Sequence, residues 1–261
     1  MARSAGGRTT KAKTPRGVII TGAAQGLGKA MATRFAADGY VVIGVDRSGD
    51  LLREAQKKLG AQHHAIEGDA GDPACIAAAC RLAAKEAGGV HALVLNAGVT
   101  SGGPSGSFSL KEWDRIVAVN LRAVFVGAQA ASPFLKKGSS IVMLSSIAAG
   151  FGLPDRAAYC ASKSGVDGLL RALSVEWAAK GIRVNAVAPG SFMTDMVREL
   201  VKSGKANIDR YMSRTPMGRM GDPSELANAV AFLASPQASY ITGVVLPVDG
   251  GWAAAGLTAM T

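Results

Sequence analysis

The chain is 261 residues long and 48% hydrophobic, with 33 glycines, enough to bury one large core or two small ones, and no break in composition separates two. Its formal charge of +10 comes from 29 basic against 19 acidic residues, but Arg3, Arg8, Lys11, Lys13 and Arg16 all lie in the first sixteen residues, where there is no acid. The remaining 24 against 19 is too mild an excess to argue for a nucleic-acid partner. No apolar run approaches the roughly eighteen residues of a membrane span.

Residues 1–16 lack an apolar h-region, so they read as a solvated, disordered basic tail and not as a secretory signal. The body, 17–261, reads as a single domain. Its opening β-branched run, Val18 to Thr21, leads into Gly22, Gly26 and Gly28 and then the helix-like KAMATRFAADG. A strand, a glycine-rich turn and a helix start in that order make a phosphate cradle, because glycine lets the backbone approach a pyrophosphate and helix N-terminal amides face it. The spacing is G-x-x-x-G-x-G and not G-x-G-x-x-G, which leaves a plain tight turn open as the alternative. An apolar strand from Tyr40 follows and ends in Asp46, placed to accept hydrogen bonds from an adenosine ribose.

The alternation continues through the helix-like LLREAQKKLG, a strand near 62–66 before Asp69, and a helix from Pro73 to Ala87. Asp69 is placed to approach the adenine or simply to precede a helix. The strand Ala92 to Leu95 then closes on Asn96, Ala97 and Gly98. Helical spacing runs from Leu110 to Lys137, with Asn120 as a polar residue in an apolar stripe, followed by a strand at 139–145 and a helix at 157–180. A strand at 182–187 runs into Pro189 and Gly190. The stretch 191–217 has no strand signal and sits where an α/β protein inserts a lid. A helix from Pro223 to Ala234 and a strand from Gly243 to Val248 end the pattern. Seven strands alternating with helices demand an α/β fold, a doubly wound parallel sheet covered on both faces. Its ligand crevice lies at the strands' C-terminal ends, where the glycine turn, Asp46, Asn96, Ser146 and Pro189 all fall.

The chemistry concentrates in SSIAAGFGLPDRAAYCASK, residues 145–163. On a helix, Tyr159 and Lys163 lie one turn apart on one face. A phenol with an ordinary pKa of about 10 needs nearby positive charge to work at neutral pH. At an effective dielectric of about 20 and about 4 Å, a cation is worth up to ~4 kcal/mol, which lowers that pKa by two or three units before desolvation subtracts. Ser146 ends a buried strand facing the same crevice. The three cysteines, Cys75, Cys80 and Cys160, fit neither zinc spacing nor a disulfide framework, which points to a reducing cytoplasm. The histidines do not share a helix face, so no metal is expected.

From the glycine turn to the C-terminus the chain resembles the short-chain dehydrogenase/reductases. Thr21 to Gly28 matches that family's TGxxxGxG motif, Asn96 to Gly98 its NAG, Tyr159 to Lys163 its YxxxK, and Pro189 to Thr194 its PGxxxT. The resemblance implies Tyr159 as acid/base catalyst, Ser146 bonded to the substrate oxygen, Lys163 on the nicotinamide ribose, and Asn120 anchoring a relay water. It implies dinucleotide contacts from Gly22, Gly26, Leu27, Gly28, Asp46, Asp69, Asn96, Gly98, Pro189, Gly190, Phe192 and Thr194 as well as from Tyr159 and Lys163. Leu95 departs from the second Asn that many members carry before NAG. The family is usually dimeric or tetrameric, and a homotetramer is expected.

The function expected is hydride transfer between NAD(H) and a secondary alcohol or ketone, with no nucleic acid or membrane as partner. NAD is expected over NADP because Asp46 repels a 2′-phosphate and Gln25 stands where NADP-using relatives often carry a base. Arg47 complicates that reading. The subgroup of 3-oxoacyl-acyl-carrier-protein reductases is the nearest alternative. A regulatory protein that senses a dinucleotide without turnover is another, but it has no need to retain Ser146, Tyr159 and Lys163 together.

Overall fold

The computed structural model describes residues 15–204 and 208–255. Most of the expected basic tail lies outside them. Arg16 does not belong to a tail: it opens the first strand and its guanidinium stands 4.3 Å from the centroid of the Tyr40 ring.

Seven strands form one sheet: β1 (Arg16–Thr21), β2 (Tyr40–Asp46), β3 (His64–Glu67), β4 (Val90–Leu95), β5 (Leu135–Leu144), β6 (Arg183–Pro189) and β7 (Val245–Val248). Their order is β3-β2-β1-β4-β5-β6-β7, with every neighbouring pair parallel. The period-2 alternation of strand side chains sorts the apolar residues onto two faces. Ile19, Ile43, Leu93, Ile141 and Met143 point to one core, and Val18, Ile20, Val42, Val94 and Val142 to the other. Both faces are therefore buried, which is why the strands read as unbroken apolar runs.

Helices cover both faces: α1 (Gly26–Ala37), α2 (Gly49–Leu59), α3 (Pro73–Ala87), α4 (Leu110–Val117), α5 (Ala123–Ala131), α6 (Ala157–Ala178), α7 (Asp195–Lys202), α8 (Asp209–Met212) and α9 (Pro223–Ala234). The punctuation of α3 and α9 follows from their sequences. Asp72 caps α3, Pro73 takes its first position, and Gly88 ends it in the left-handed conformation at φ 68°, which glycine adopts without strain. Asp222 and Glu225 form a reciprocal capping box on α9.

The helix expected from Leu110 to Lys137 is shorter and interrupted. A π turn at Ala118–Arg122 joins α4 to α5, and the helix gives way at Ser132–Phe134 to a 3₁₀ turn containing Pro133, whose ring nitrogen cannot continue the ladder. Leu135 to Lys137 already belong to β5. By length and composition alone, Leu110–Phe134 is long and apolar enough to cross a membrane, a test that a buried core helix also passes. Here Ile116, Asn120, Val124 and Ala128 on it are buried inside the protein.

The order of strands reverses between β1 and β4, so a crevice opens there at the C-terminal edge of the sheet. The segment after β6 contributes α7 and α8, with Phe192 bridged to Gly221.

Candidate active site

The cradle is built from close approaches. Gly22 and Gly26 adopt φ of 68° and 55°, conformations that glycine tolerates best. A Cβ at Gly28 would stand 1.9 Å from the Gly22 carbonyl oxygen, so α1 starts directly under the turn. Asn96 locks this turn to β4, donating from Nδ2 to the carbonyls of Thr21 at 2.8 Å and Gly22 at 3.1 Å. The Thr21 hydroxyl accepts from the backbone amides of Asn96 and Ala97. At the end of β2, the Asp46 carboxylate is held at both oxygens: Oδ2 accepts from the Ala24 amide and Oδ1 from the Ser48 amide, each at 3.0 Å. Arg47 turns away from it and donates from Nη2 to Asp69 Oδ2 at 2.9 Å.

Tyr159, Lys163 and Asp167 succeed one another at four-residue spacing along α6, with Ser145 and Ser146 facing them from the end of β5. Ser146 Oγ accepts from the Ala148 amide at 3.1 Å and lines the same cleft as the Tyr159 phenol. Lys163 is buried and donates from Nζ to the Leu144 carbonyl at 2.7 Å. Its Nζ lies 5.9 Å from the centroid of the Tyr159 ring. Burial draws the ammonium pKa down to about 8, opposed by the charge of Asp167. Asp167 in turn accepts from Ser145 Oγ at 2.6 Å, and burial raises its pKa while that hydrogen bond lowers it.

The sequence argument expects Lys163 to pull the Tyr159 pKa below its ordinary value. The structure has the phenol raised instead: burial is the largest effect, and the neighbouring Ser146 hydroxyl is the first to oppose it. Desolvation sets the direction, and Lys163 is not among the charges that act on the phenol.

Asn120, fully buried in the π turn, is a strut. Its Oδ1 accepts from the Val99 amide at 2.8 Å, and its Nδ2 donates to the Val99 carbonyl and to Ser162 Oγ at 2.9 and 3.2 Å. It thereby ties the loop after β4 to α6, one residue from Lys163.

One 530 Å³ cleft brings together Gly22, Leu27, Gly28, Asp46, Asp69, Asn96, Gly98, Ser146, Tyr159, Lys163, Pro189 and Gly190. Gly26, Asn120, Phe192 and Thr194 do not line it. Phe192 is 8% exposed and packs in the core, and a Cβ at Gly221 would meet its ring. Thr194 caps α7 through its hydroxyl and presents Cγ2 to Gly26. Leu95, the departure from the NAG pattern, fills space left by Gly127, whose added Cβ would lie 2.5 Å from Leu95 Cδ2. Sequence reasoning missed Ser145 and Asp167. Their signal was available, since Asp167 stands four residues after Lys163 and Ser145 directly before Ser146.

A family model described as enoyl-(acyl carrier protein) reductase matches residues 22–253. Relatives agree over nearly all of the chain. A 3β-hydroxysteroid dehydrogenase of Eggerthella lenta is 41% identical over 90% of this chain and 92% of its own. The chain belongs to the short-chain dehydrogenase/reductase family. A longer member from Sinorhizobium fredii is also 41% identical, over 91% of this chain, which spans 43% of that relative. The crystal structure of a 3-ketoacyl-(acyl-carrier-protein) reductase from Brucella melitensis, complexed with NADH, superposes with a TM-score of 0.83 at 36% identity, covering 91% of this chain and 98% of that one. As a member of this family the protein is an oxidoreductase.

Proposed function

We propose that the protein interconverts a secondary alcohol and a ketone with NAD(H), using Tyr159 as general acid/base. The observation that carries this reading is the convergence of Ser146, Tyr159 and buried Lys163 in the cleft that Asp46 also lines. The cradle fits a dinucleotide. Gly22 and Gly28 leave no room for side chains, and the space at Gly26 is open, with Thr194 Cγ2 as nearest neighbour at 3.8 Å from an added Cβ. When bound, the nicotinamide supplies the hydride acceptor or donor.

The chain's own residues supply the rest. In alcohol oxidation, Ser146 orients the substrate oxygen, and the Tyr159 phenolate takes the hydroxyl proton as the carbinol hydrogen leaves with its electron pair. Lys163 holds the nicotinamide ribose. Both amide hydrogens of Asn120 are spent, and one lone pair on Oδ1 is left for a relay water.

NAD is favoured over NADP because Asp46 is anchored at both oxygens while Arg47 pairs with Asp69. The Brucella structure, with NADH, supports the same choice. The 191–217 segment acts as a lid. Exposed Leu110, Phe125 and Val175 on α4 to α6, and Phe232 and Tyr240 on the far side of the sheet's end, support a homotetramer. The free thiols of Cys75, Cys80 and Cys160 suit the cytoplasm. A second reading, a 3-oxoacyl-acyl-carrier-protein reductase, is favoured by the identity to the Brucella protein. The test is a panel of secondary alcohols and 3-oxoacyl thioesters assayed by absorbance of the reduced nicotinamide. Turnover of alcohols supports the main reading, turnover of thioesters alone supports the second, and binding of NADH without any turnover defeats both.

A further inference from the structure

Where β5 ends, α6 grips the chain at two successive residues. The Leu144 carbonyl accepts from Lys163 Nζ at 2.7 Å, and the Ser145 hydroxyl donates to Asp167 Oδ1 at 2.6 Å. Ser146 comes next. Beyond it the helix takes hold once more, with Ser164 Oγ donating to the Ala149 carbonyl at 2.8 Å. Ser146 therefore lies between holds that all come from one helix. Ser145 is the anchor on the strand side: it is 3% exposed, and its amide donates to the Val187 carbonyl of β6 at 2.9 Å. Its backbone thus belongs to the sheet and its side chain to α6.

The Ser145–Asp167 bond has the length of a hydroxyl donating to an ionised carboxylate, a stronger and more directional contact than one between neutral groups. Asp167 is half-buried. Burial raises its pKa, opposed first by the Ser145 hydrogen bond and then by the charges of Arg171 and Lys163 on its own helix, while β5 faces it with the Ser145 hydroxyl. A partly desolvated carboxylate is tolerated where it is hydrogen-bonded, so the pair is a strut of defined length. Leu144, Ser145, Ser146, Tyr159 and Lys163 line the cleft and Asp167 does not. Asp167 therefore acts on the site through Ser145 and not by touching a bound molecule.

We propose that Asp167 is a positioning residue: by holding the Ser145 hydroxyl it fixes the end of β5 against α6, and so sets Ser146 and the Leu144 carbonyl relative to Tyr159 and Lys163. This rests on the oxidoreductase reading above, in which Ser146 orients the substrate oxygen and Tyr159 exchanges its proton. The helix by itself sets Tyr159 against Lys163, since both stand on it one turn apart. It does not set either against Ser146, which belongs to another element. The Ser145–Asp167 bond spans that gap directly beside Ser146. The Ser164 bond to Ala149 is exposed, where water competes for it. A misplacement of about 1 Å among reacting groups is enough to cost ~100-fold in rate.

The test uses the full chain saturated with NAD and the best alcohol of the panel, with kcat followed across pH by NADH absorbance and Kd for NADH measured by calorimetry in mildly acidic buffer. Ser145→Ala removes the bond from the strand and Asp167→Ala from the helix. Each is expected to lower kcat by at least ~10-fold over the whole pH profile, while Kd for NADH stays within ~3-fold of the parent, which separates positioning from loss of the fold. The double variant loses no more than either single one, because both break the same bond. Asp167→Asn keeps an acceptor for the hydroxyl, so it recovers most of the height of the profile, although its alkaline limb still moves because the charge is gone. If Asp167→Ala does not fold, Ser145→Ala removes the same bond and takes its place in the comparison with Asp167→Asn. Three results overturn the proposal: parental kcat in Ser145→Ala, losses that add in the double variant, or an Asp167→Asn variant no more active than the alanine ones. A parent that binds NADH but oxidises no alcohol and reduces no ketone overturns the oxidoreductase reading, and the role of Asp167 with it. An active parent whose kcat is indifferent to Ser145→Ala overturns the role of Asp167 alone.

Discussion

Replacing Asp46 tests the adenosine end of the cleft. Its carboxylate ends β2 and is fixed by two backbone amides, so a ribose hydroxyl meets an acceptor that has already lost its freedom. Losing a buried, hydrogen-bonded charge costs roughly 2 to 5 kcal/mol. The low end of that range suits a group still partly open to solvent. Asp46→Ala is therefore expected to lower kcat/KM with NAD by ~30-fold and to raise Kd for NADH in parallel. Its kcat/KM with NADP should rise, since the charge that repels a 2′-phosphate is gone. The parent should prefer NAD by at least ~30-fold on the same arithmetic. Arg47 is the competing influence. Its pair with Asp69 is exposed on both sides, and such pairs are worth ~0–1 kcal/mol. Asp69→Asn should thus narrow the preference by no more than ~5-fold. Steady-state kinetics with both cofactors, beside NADH fluorescence titration, read all of these. Equal kcat/KM for the two cofactors in the parent, or a preference for NADP, would show that Arg47 governs the site and that the argument from Asp46 fails.

Two further substitutions probe the frame around the chemistry. Gly28→Ala puts a methyl group 1.9 Å from the Gly22 carbonyl oxygen, so the turn must open, and NADH affinity should fall by at least ~100-fold, the equivalent of about 3 kcal/mol. An unchanged Kd, in a variant with parental circular dichroism, would mean that the turn does not bind the dinucleotide. Asp167→Asn removes the carboxylate whose charge opposes the burial of Lys163. The ammonium, already drawn down to about 8, should then lose its proton at lower pH, so the alkaline fall in kcat should move to lower pH. A profile that stays in place would separate Asp167 from Lys163.

Much of this architecture is legible in the sequence because a parallel sheet buries both faces and writes each strand as an apolar run. The termini of α3 and α9 come out as expected because Asp-Pro starts are strong local signals. The middle of the chain is less legible. The apolar stripe after Leu110 does not reveal the π turn at Asn120, nor that Pro133 stops the helix before Leu135 turns to strand. Spacing alone implies the wrong sign for the Tyr159 shift, since it shows that a lysine is near but not how deeply both groups are buried. Phe192 illustrates a different limit. The motif position suggests a cofactor contact, whereas the side chain turns into the core beneath Gly221. Ser145 and Asp167 escaped notice because their contact joins a strand end to a helix 22 residues later.

The central claim is that one phenol moves the proton, and Tyr159→Phe tests it most directly. The ring and its packing are kept while the hydroxyl in the cleft is lost. The account predicts that kcat on the best alcohol falls by at least ~100-fold while Kd for NADH stays within ~3-fold of the parent. Turnover near the parental rate in that variant would contradict it.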